Sequence, residues 1–144
     1  MERATENSRR QHTELRRHAD ELLAAIDGDG AFDGQLVQRA LSRMSGVLKV
    51  HVAMEIEALY PRLLEHEDAE VRRLAQSVIE KLKSTYDGFF QFRSTWNAEA
   101  VEADRQTFVA QARFVAKAFH DSTHQEELRL YDKVDAIFAA MRGQ

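Results

Sequence analysis

A chain of 144 residues with a net charge of −4, 44% of them hydrophobic and 31% charged, is long enough for one domain with a real core over residues 1–144 and too short for two. The absence of cysteine excludes a disulfide framework, a thiolate metal site, a cysteine nucleophile and thioether-linked haem, and the acidic balance leaves no basic face for nucleic acid. No apolar run approaches the ~18–20 residues of a membrane span, and the polar start, Met1 to Gln11, does not read as a signal peptide, so a cytoplasmic protein with no membrane partner is expected.

One proline and six glycines leave few breaks, and no alternating β-branched run reads as a strand. The expected class is therefore all-α. The first helix is expected from Thr5 to Asp27, stopping at Gly28-Asp29-Gly30. Its stripe, His12, Leu15, Ala19, Leu22 and Ile26, turns His12 inward, while His18 falls roughly 120° around the helix on a flank or in solvent. Arg9-Arg10 and Arg16-Arg17 read as a solvated basic face.

Asp33 can cap the second helix, whose stripe is Val37, Leu41, Met44, Leu48, His51, Glu55 and Leu59. Pro61 costs a helical hydrogen bond, so a kink or an end is expected nearby. His66 lies in the polar connection Glu65-His66-Glu67-Asp68. The third helix runs from Ala69 to Trp96 with Asp68 as its cap, and Phe89, Phe92 and Trp96 on its stripe read as plain core. It contains no histidine.

Asn97 to Glu102 reads as a short connection, and the fourth helix extends from Ala103 to Met141. Midway along its buried side the apolar pattern gives way to His120-Asp121-Ser122-Thr123-His124-Gln125-Glu126-Glu127. On a regular helix Thr123 is the most inward of these, followed by Glu127 and His120, with Glu126 and His124 towards opposite edges. Four helices with short connections predict an up-down-up-down antiparallel four-helix bundle. No clear internal repeat is present, although Glu55 to Tyr60 and Glu126 to Tyr131 resemble each other.

The chemistry lies in the polar residues that interrupt apolar stripes. A carboxylate in a core strands a charge at a cost of several kcal/mol unless something neutralises it, and a metal ion is one solution for Glu55. His12, His51, Glu55, His120, His124 and Glu127 can converge near mid-bundle, with Glu126 as the alternative carboxylate on the fourth helix. Imidazole nitrogen and carboxylate oxygen suit iron, zinc, manganese and copper, and such a set could hold one metal or bridge two. Tyr86 or Tyr131 could donate a hydrogen bond to a small oxidant bound there.

The motif His51-x-x-x-Glu55 followed by Leu59-Tyr60-Pro61, a lone histidine in the first helix and acidic residues before Leu130-Tyr131 resemble the hemerythrin-like (HHE cation-binding) family along essentially the whole chain. The resemblance implies a four-helix bundle holding a non-haem diiron centre that binds, senses or detoxifies dioxygen, nitric oxide or peroxide. Iron, as one or two ions, is the expected cofactor, with another divalent transition metal as the alternative. The family pattern also implies histidines on the third helix, where this chain has none, and a second histidine-x-x-x-carboxylate on the fourth. Anchored on Leu130-Tyr131, that carboxylate is Glu126 and Ser122 stands where the histidine would be. Two other readings are a metal-free interaction or scaffold bundle, and a haem protein using His12 with His120.

Overall fold

A computed structural model describes residues 3–27 and 32–143 of the chain; the expected stop at Gly28-Asp29-Gly30 lies outside them. Every regular element among the described residues is helical. Helix α1 spans Glu6–Asp27, α2 Gly34–Met54, α3 Pro61–Leu64, α4 Ala69–Thr95, α5 Ala98–Ala103, α6 Arg105–Gln125 and α7 Asp132–Arg142. Two π-helical turns, Glu55–Leu59 and Glu126–Tyr131, join α2 to α3 and α6 to α7.

The helix starts are written in the sequence as oxygen-bearing caps. Asp33 accepts from the backbone N–H groups of Gln35 and Leu36, Asp68 from Glu70, Asn97 from Ala100 and Asp104 from Thr107. Each satisfies a donor that the first turn leaves without an intrahelical partner. The Asn97–Glu102 connection differs from expectation, because the Asn97 cap nucleates the short helix α5 and Val101 is buried beneath it. Pro61 opens α3 at a first-turn position, where its missing N–H costs nothing.

Helix α1 packs on α2 and on α6, and α2 packs on α4. Leu15, Ala19 and Leu22 of α1 meet Val37, Leu41, Met44 and Leu48 of α2 in a buried apolar core that continues to Ala112, Ala116 and Phe119 of α6. Each leucine, valine, methionine or phenylalanine among them contributes about 1.5–3 kcal/mol of burial. One end is aromatic. Phe92 and Trp96 of α4 pack on Phe108 of α6 with ring centres 6.1 and 5.5 Å apart, and the Trp96 indole N–H donates to Gln111 at 2.7 Å.

Arg9 and Arg16 do not lie on a solvated face. Arg9 pairs with Asp132 and Asp135 at 3.0 and 3.1 Å, and Asp135 also accepts from the backbone and hydroxyl of Thr5, tying the start of α1 to α7. Arg16 reaches Glu127 at 3.2 Å and the Thr123 hydroxyl at 2.9 Å. Acidic residues on the second π turn and α7 face these guanidinium groups and hold their aliphatic stems against the protein. His18, expected on a flank, is buried beside Glu21 at 3.3 Å. His66 stays in its connection, where its Nδ1 accepts from the backbone N–H of Asp68.

Candidate metal centre

The α1 stripe buries His12 and the α2 stripe buries His51, leaving them 1% and 3% exposed, and Glu55 at the end of α2 is fully buried. The two imidazole rings lie 4.8 Å apart between centres. His51 Nε2 is 3.2 Å from Glu55 Oε2, and the other ring nitrogen, Nδ1, is 2.9 Å from the Gln11 side-chain oxygen. Gln11 thus fixes Nδ1 as the protonated nitrogen and leaves the Nε2 lone pair facing the carboxylate, as an orienting partner does for a metal-binding imidazole.

From the opposite side Glu126 brings Oε2 to 3.2 Å from His12 Nε2. His12, His51 and Glu126 each offer one donor atom within 4.8 Å of the others, and Glu55 joins through His51. Tyr131 reaches into the middle of the set. Its hydroxyl donates to Glu55 Oε2 at 2.9 Å and lies 3.1 Å from His12 Nε2 and 3.3 Å from Glu126 Oε2. The Ser8 hydroxyl donates to Glu55 Oε2 at 3.1 Å.

The π turns produce this convergence. In the first, the Tyr60 N–H bonds the Glu55 carbonyl at 2.9 Å, a bond across five residues in place of four. On a regular α-helix residues five apart point about 140° away from each other. The wider turn brings Glu55 and Tyr60 onto one buried face, and the second turn does the same for Glu126 and Tyr131. The sequence similarity between Glu55–Tyr60 and Glu126–Tyr131 is therefore a repeated backbone device. A regular-helix count through Glu126–Tyr131 misses the extra residue, and with it the inward turn of Glu126. The Glu-x-x-x-Leu-Tyr repeat is the signal that anchors it.

The other expected ligands lie elsewhere. Glu127 pairs with Arg16 through Oε2, and its Oε1 stands 3.6 Å from His12 Nδ1, beyond hydrogen-bond distance. His120 is held by Asp20 at 2.8 Å, and His124, an exposed residue, stacks on His120 with ring centres 6.2 Å apart. Neither shares a hydrogen bond with the cluster. Tyr86 packs on Phe90 with ring centres 4.5 Å apart, leaving Tyr131 as the phenol at the site. Ser8, Gln11 and Tyr131 complete the surroundings of Glu55 and His51. Of these, Ser8 and Gln11 were legible only as residues one turn before His12 and next to it.

Electrostatics sharpen the picture. Burial pushes the His51 imidazole down to about 3, with His12 adding to the effect, so the ring is neutral with a free lone pair at neutral pH. Burial pushes the Glu55 carboxyl up to about 8, against the pull of the Tyr131 and Ser8 hydroxyls. Burial also works to raise Glu126, but the hydrogen bond and charge of His12 carry it below its ordinary value. Among the described residues, two buried side-chain polar atoms have no hydrogen-bond partner, His12 Nδ1 and the Tyr60 hydroxyl. Convergent imidazole lone pairs and carboxylate oxygens around one point fit a cation and leave a proton to do its work in its absence.

Residues 3–134, essentially the whole chain, match the hemerythrin HHE cation binding domain. The chain belongs to that family. No curated protein and no solved structure matches it. A hemerythrin-family helical protein is a metal-binding scaffold, and the candidate site in this member is the cluster of His12, His51 and Glu126, with Glu55 beside His51 at 3.2 Å. A chamber of 50 Å³ lies against it, lined by Leu48, Val78, Leu82, Thr85, Ser122 and Leu130 among others. Helix α4 thus faces the cluster with Val78, Leu82 and Thr85 and with the charged side chain of Lys81, which also acts to lower Glu126. No helix among the described residues is long and apolar enough to cross a membrane.

Proposed function

We propose that this protein holds a single non-haem iron ion between His12, His51, Glu55 and Glu126 and uses it to bind, sense or detoxify a small oxidant. The observation that carries the reading is the buried convergence of two imidazoles, His51 oriented by Gln11, with the carboxylates of Glu126 and Glu55. Mixed nitrogen and oxygen donors suit iron, with manganese or zinc as the chemical alternatives. An ion held by these residues would supply redox chemistry for a diatomic ligand or peroxide. Glu126 of the second π turn is the ligand from this side in this reading, and Glu127 supports it from behind, placing negative charge near His12 Nδ1 while Arg16 balances that charge. The four long helical stretches, α1, α2 with α3, α4, and α6 with α7, form an up-down-up-down bundle around the site.

Several features of the chain favour a small ligand. The 50 Å³ chamber admits a few water-sized molecules and no organic substrate. Its apolar walls, Leu48, Val78, Leu82 and Leu130, keep bulk water away from whatever enters. Tyr131 places a hydroxyl among the donors, where it can hydrogen-bond to a bound oxygen atom. A haem finds no place here, since His120 is tied to Asp20 and the chamber is too small. A single ion follows from the donor count, because α4 adds no ligand and Ser122 stands four residues before Glu126 where His51 stands four before Glu55.

Metal analysis and optical spectroscopy of the purified protein and of His51→Ala test the reading. The expected result is close to one iron per chain, a spectrum of the reduced protein that changes with dioxygen or nitric oxide, and loss of both in the variant. Negligible metal in the wild type, or undiminished metal in His51→Ala, would overturn the site. Metal without any spectral response would overturn the oxidant-binding role alone.

A further inference from the structure

The chamber beside the candidate metal site is graded from buried to exposed. His12, His51 and Leu48 are buried at its inner end, whereas Lys81 and Thr85 of α4 are exposed and Ser122 of α6 is half-buried. Its way in is therefore the polar edge formed by an ammonium and two hydroxyls. Among the described residues, Lys81 and Glu126 are the only charged side chains on the chamber wall apart from the imidazoles.

The Lys81 ammonium is not occupied elsewhere. A helical lysine finds its carboxylate three or four residues away, and those positions hold Ser77, Val78, Ser84 and Thr85, none of them charged. Glu126 pairs with His12 and Asp121 with Lys117, and among the described residues no carboxylate pairs with Lys81. Its charge nonetheless reaches across the chamber, helping to lower the Glu126 carboxyl.

The charge count of the site gives this ammonium a task, a step that rests on the iron reading above. Two ionised carboxylates, Glu55 and Glu126, cancel a divalent cation that His12 and His51 bind as neutral imidazoles. A neutral molecule entering the chamber leaves that balance at zero. A monoanion instead brings one uncompensated negative charge into a space walled by Leu15, Leu48 and Leu82, where an unpaired charge is costly. Lys81 is the one wall residue outside the ligand set that can balance it.

We propose that Lys81 determines the ligand class of the candidate site: it draws a small monoanion, of the class of superoxide and hydroperoxide, into the chamber and balances its charge there, while giving a neutral diatomic molecule no help. The hydroxyls of Thr85 and Ser122 stand on the same edge, where they can donate to the entering anion. A single cation at a narrow entrance also raises the local concentration of anions, an effect that fades as salt is added.

Two measurements test this, the first on metal-free full-length protein. Because the chain has no cysteine, Ser122→Cys places a single thiol on the α6 wall of the entrance. Its rate with an anionic methanethiosulfonate, relative to a neutral one, should fall at least about 5-fold when Lys81→Met is added and persist with Lys81→Arg. A ratio indifferent to Lys81→Met overturns the inference whether or not the site holds metal. The second measurement titrates the reduced, iron-loaded protein with azide and with nitric oxide, read optically without dioxygen. Lys81→Met should weaken azide at least about 5-fold and Lys81→Glu at least about 25-fold, the charge then changing by two units. Nitric oxide affinity and iron content should stay at wild-type values, Lys81→Arg should bind azide as the wild type does, and the exposed position should leave helical spectra and melting curves unchanged. Azide binding that ignores Lys81→Met, or azide and nitric oxide weakened alike, overturns this inference and leaves the iron reading standing. A wild type that takes up no iron overturns both.

Discussion

The two π turns make a natural comparison, because they are the same backbone device with different side chains hung on it. In each, a glutamate opens the turn and a tyrosine five residues on shares its buried face: Glu55 with Tyr60, Glu126 with Tyr131. The first turn is preceded by His51, the second by Ser122. Glu55 is fully buried, its carboxyl pushed up to about 8, whereas Glu126 is partly accessible and held below its ordinary value by His12. The tyrosines differ most. Tyr131 touches three of the four candidate ligands, while the Tyr60 hydroxyl, equally buried, touches no hydrogen-bond partner. A π turn places a carboxylate and a phenol on one face; the residue one helical turn earlier decides whether the place can hold a metal.

The largest effects should come from removing the carboxylates themselves. Glu55→Ala and Glu126→Ala should each weaken iron binding by more than about 100-fold, while Glu127→Ala, acting from behind His12, should cost about 10-fold. Competition with a coloured chelator measures all three. Equal losses for Glu126→Ala and Glu127→Ala would mean that the second turn does not separate inner from outer carboxylate. The converse change completes the second turn. Ser122→His would stand to Glu126 as His51 stands to Glu55, and Ser122 already lines the chamber. The variant should take up a second ion, raising the metal content towards two per chain. An unchanged stoichiometry would show that α4 must also contribute.

The same comparison has a signature in pH. In the metal-free protein Glu55 keeps its proton up to about 8, whereas a carboxyl in the unfolded chain gives it up near 4.5. Its contribution to stability is therefore full below 4.5 and is lost as pH rises through about 8. His51, pushed down to about 3 from 6.5, works in the other direction, contributing fully above 6.5 and losing its contribution as pH falls through about 3. The two cancel between 4.5 and 6.5, leaving a plateau. From 6.5 to 8 the Glu55 term acts alone and should lower stability by about 2 kcal/mol. Urea unfolding of the metal-free protein should follow that fall, and Glu55→Gln should abolish it. Bound metal keeps Glu55 ionised in the folded protein, as it is in the unfolded chain, and should abolish the slope.

How much of this could be read in the chain depends on how regular the helix is at each place. The caps Asp33 and Asp68, the span of α4 and the inward turn of His12, His51 and Glu55 follow from unbroken 3.6-residue periodicity. Beyond Thr123 that count passes into the second π turn and selects Glu127 over Glu126. Local pairing accounts for other differences. Asp20 on α1 holds His120, Glu127 holds Arg16, and Asp132 with Asp135 holds Arg9, and none of these partners is predictable from the spacing on one helix. The short helix α5 depends on the Asn97 cap, a signal that was present and competed with the polar look of the segment.

The smallest expected effect is also the most discriminating. Tyr60→Phe and Tyr131→Phe are the same chemical change at equivalent positions of the two turns. Removing the Tyr131 hydroxyl leaves Glu55 Oε2, Glu126 Oε2 and His12 Nε2 one contact short in a buried site, at a cost of about 1–3 kcal/mol in the metal-free protein. Removing the Tyr60 hydroxyl takes away a buried group that has no partner, so Tyr60→Phe should leave stability within about 0.5 kcal/mol or raise it. Chemical unfolding of both variants under identical conditions makes the comparison. If Tyr60→Phe proves as costly as Tyr131→Phe, the two turns are functionally alike and the division of the site into a ligand-bearing half and a ligand-poor half fails. If the costs separate as stated, the phenol at the second turn belongs to the site and the phenol at the first belongs to the core.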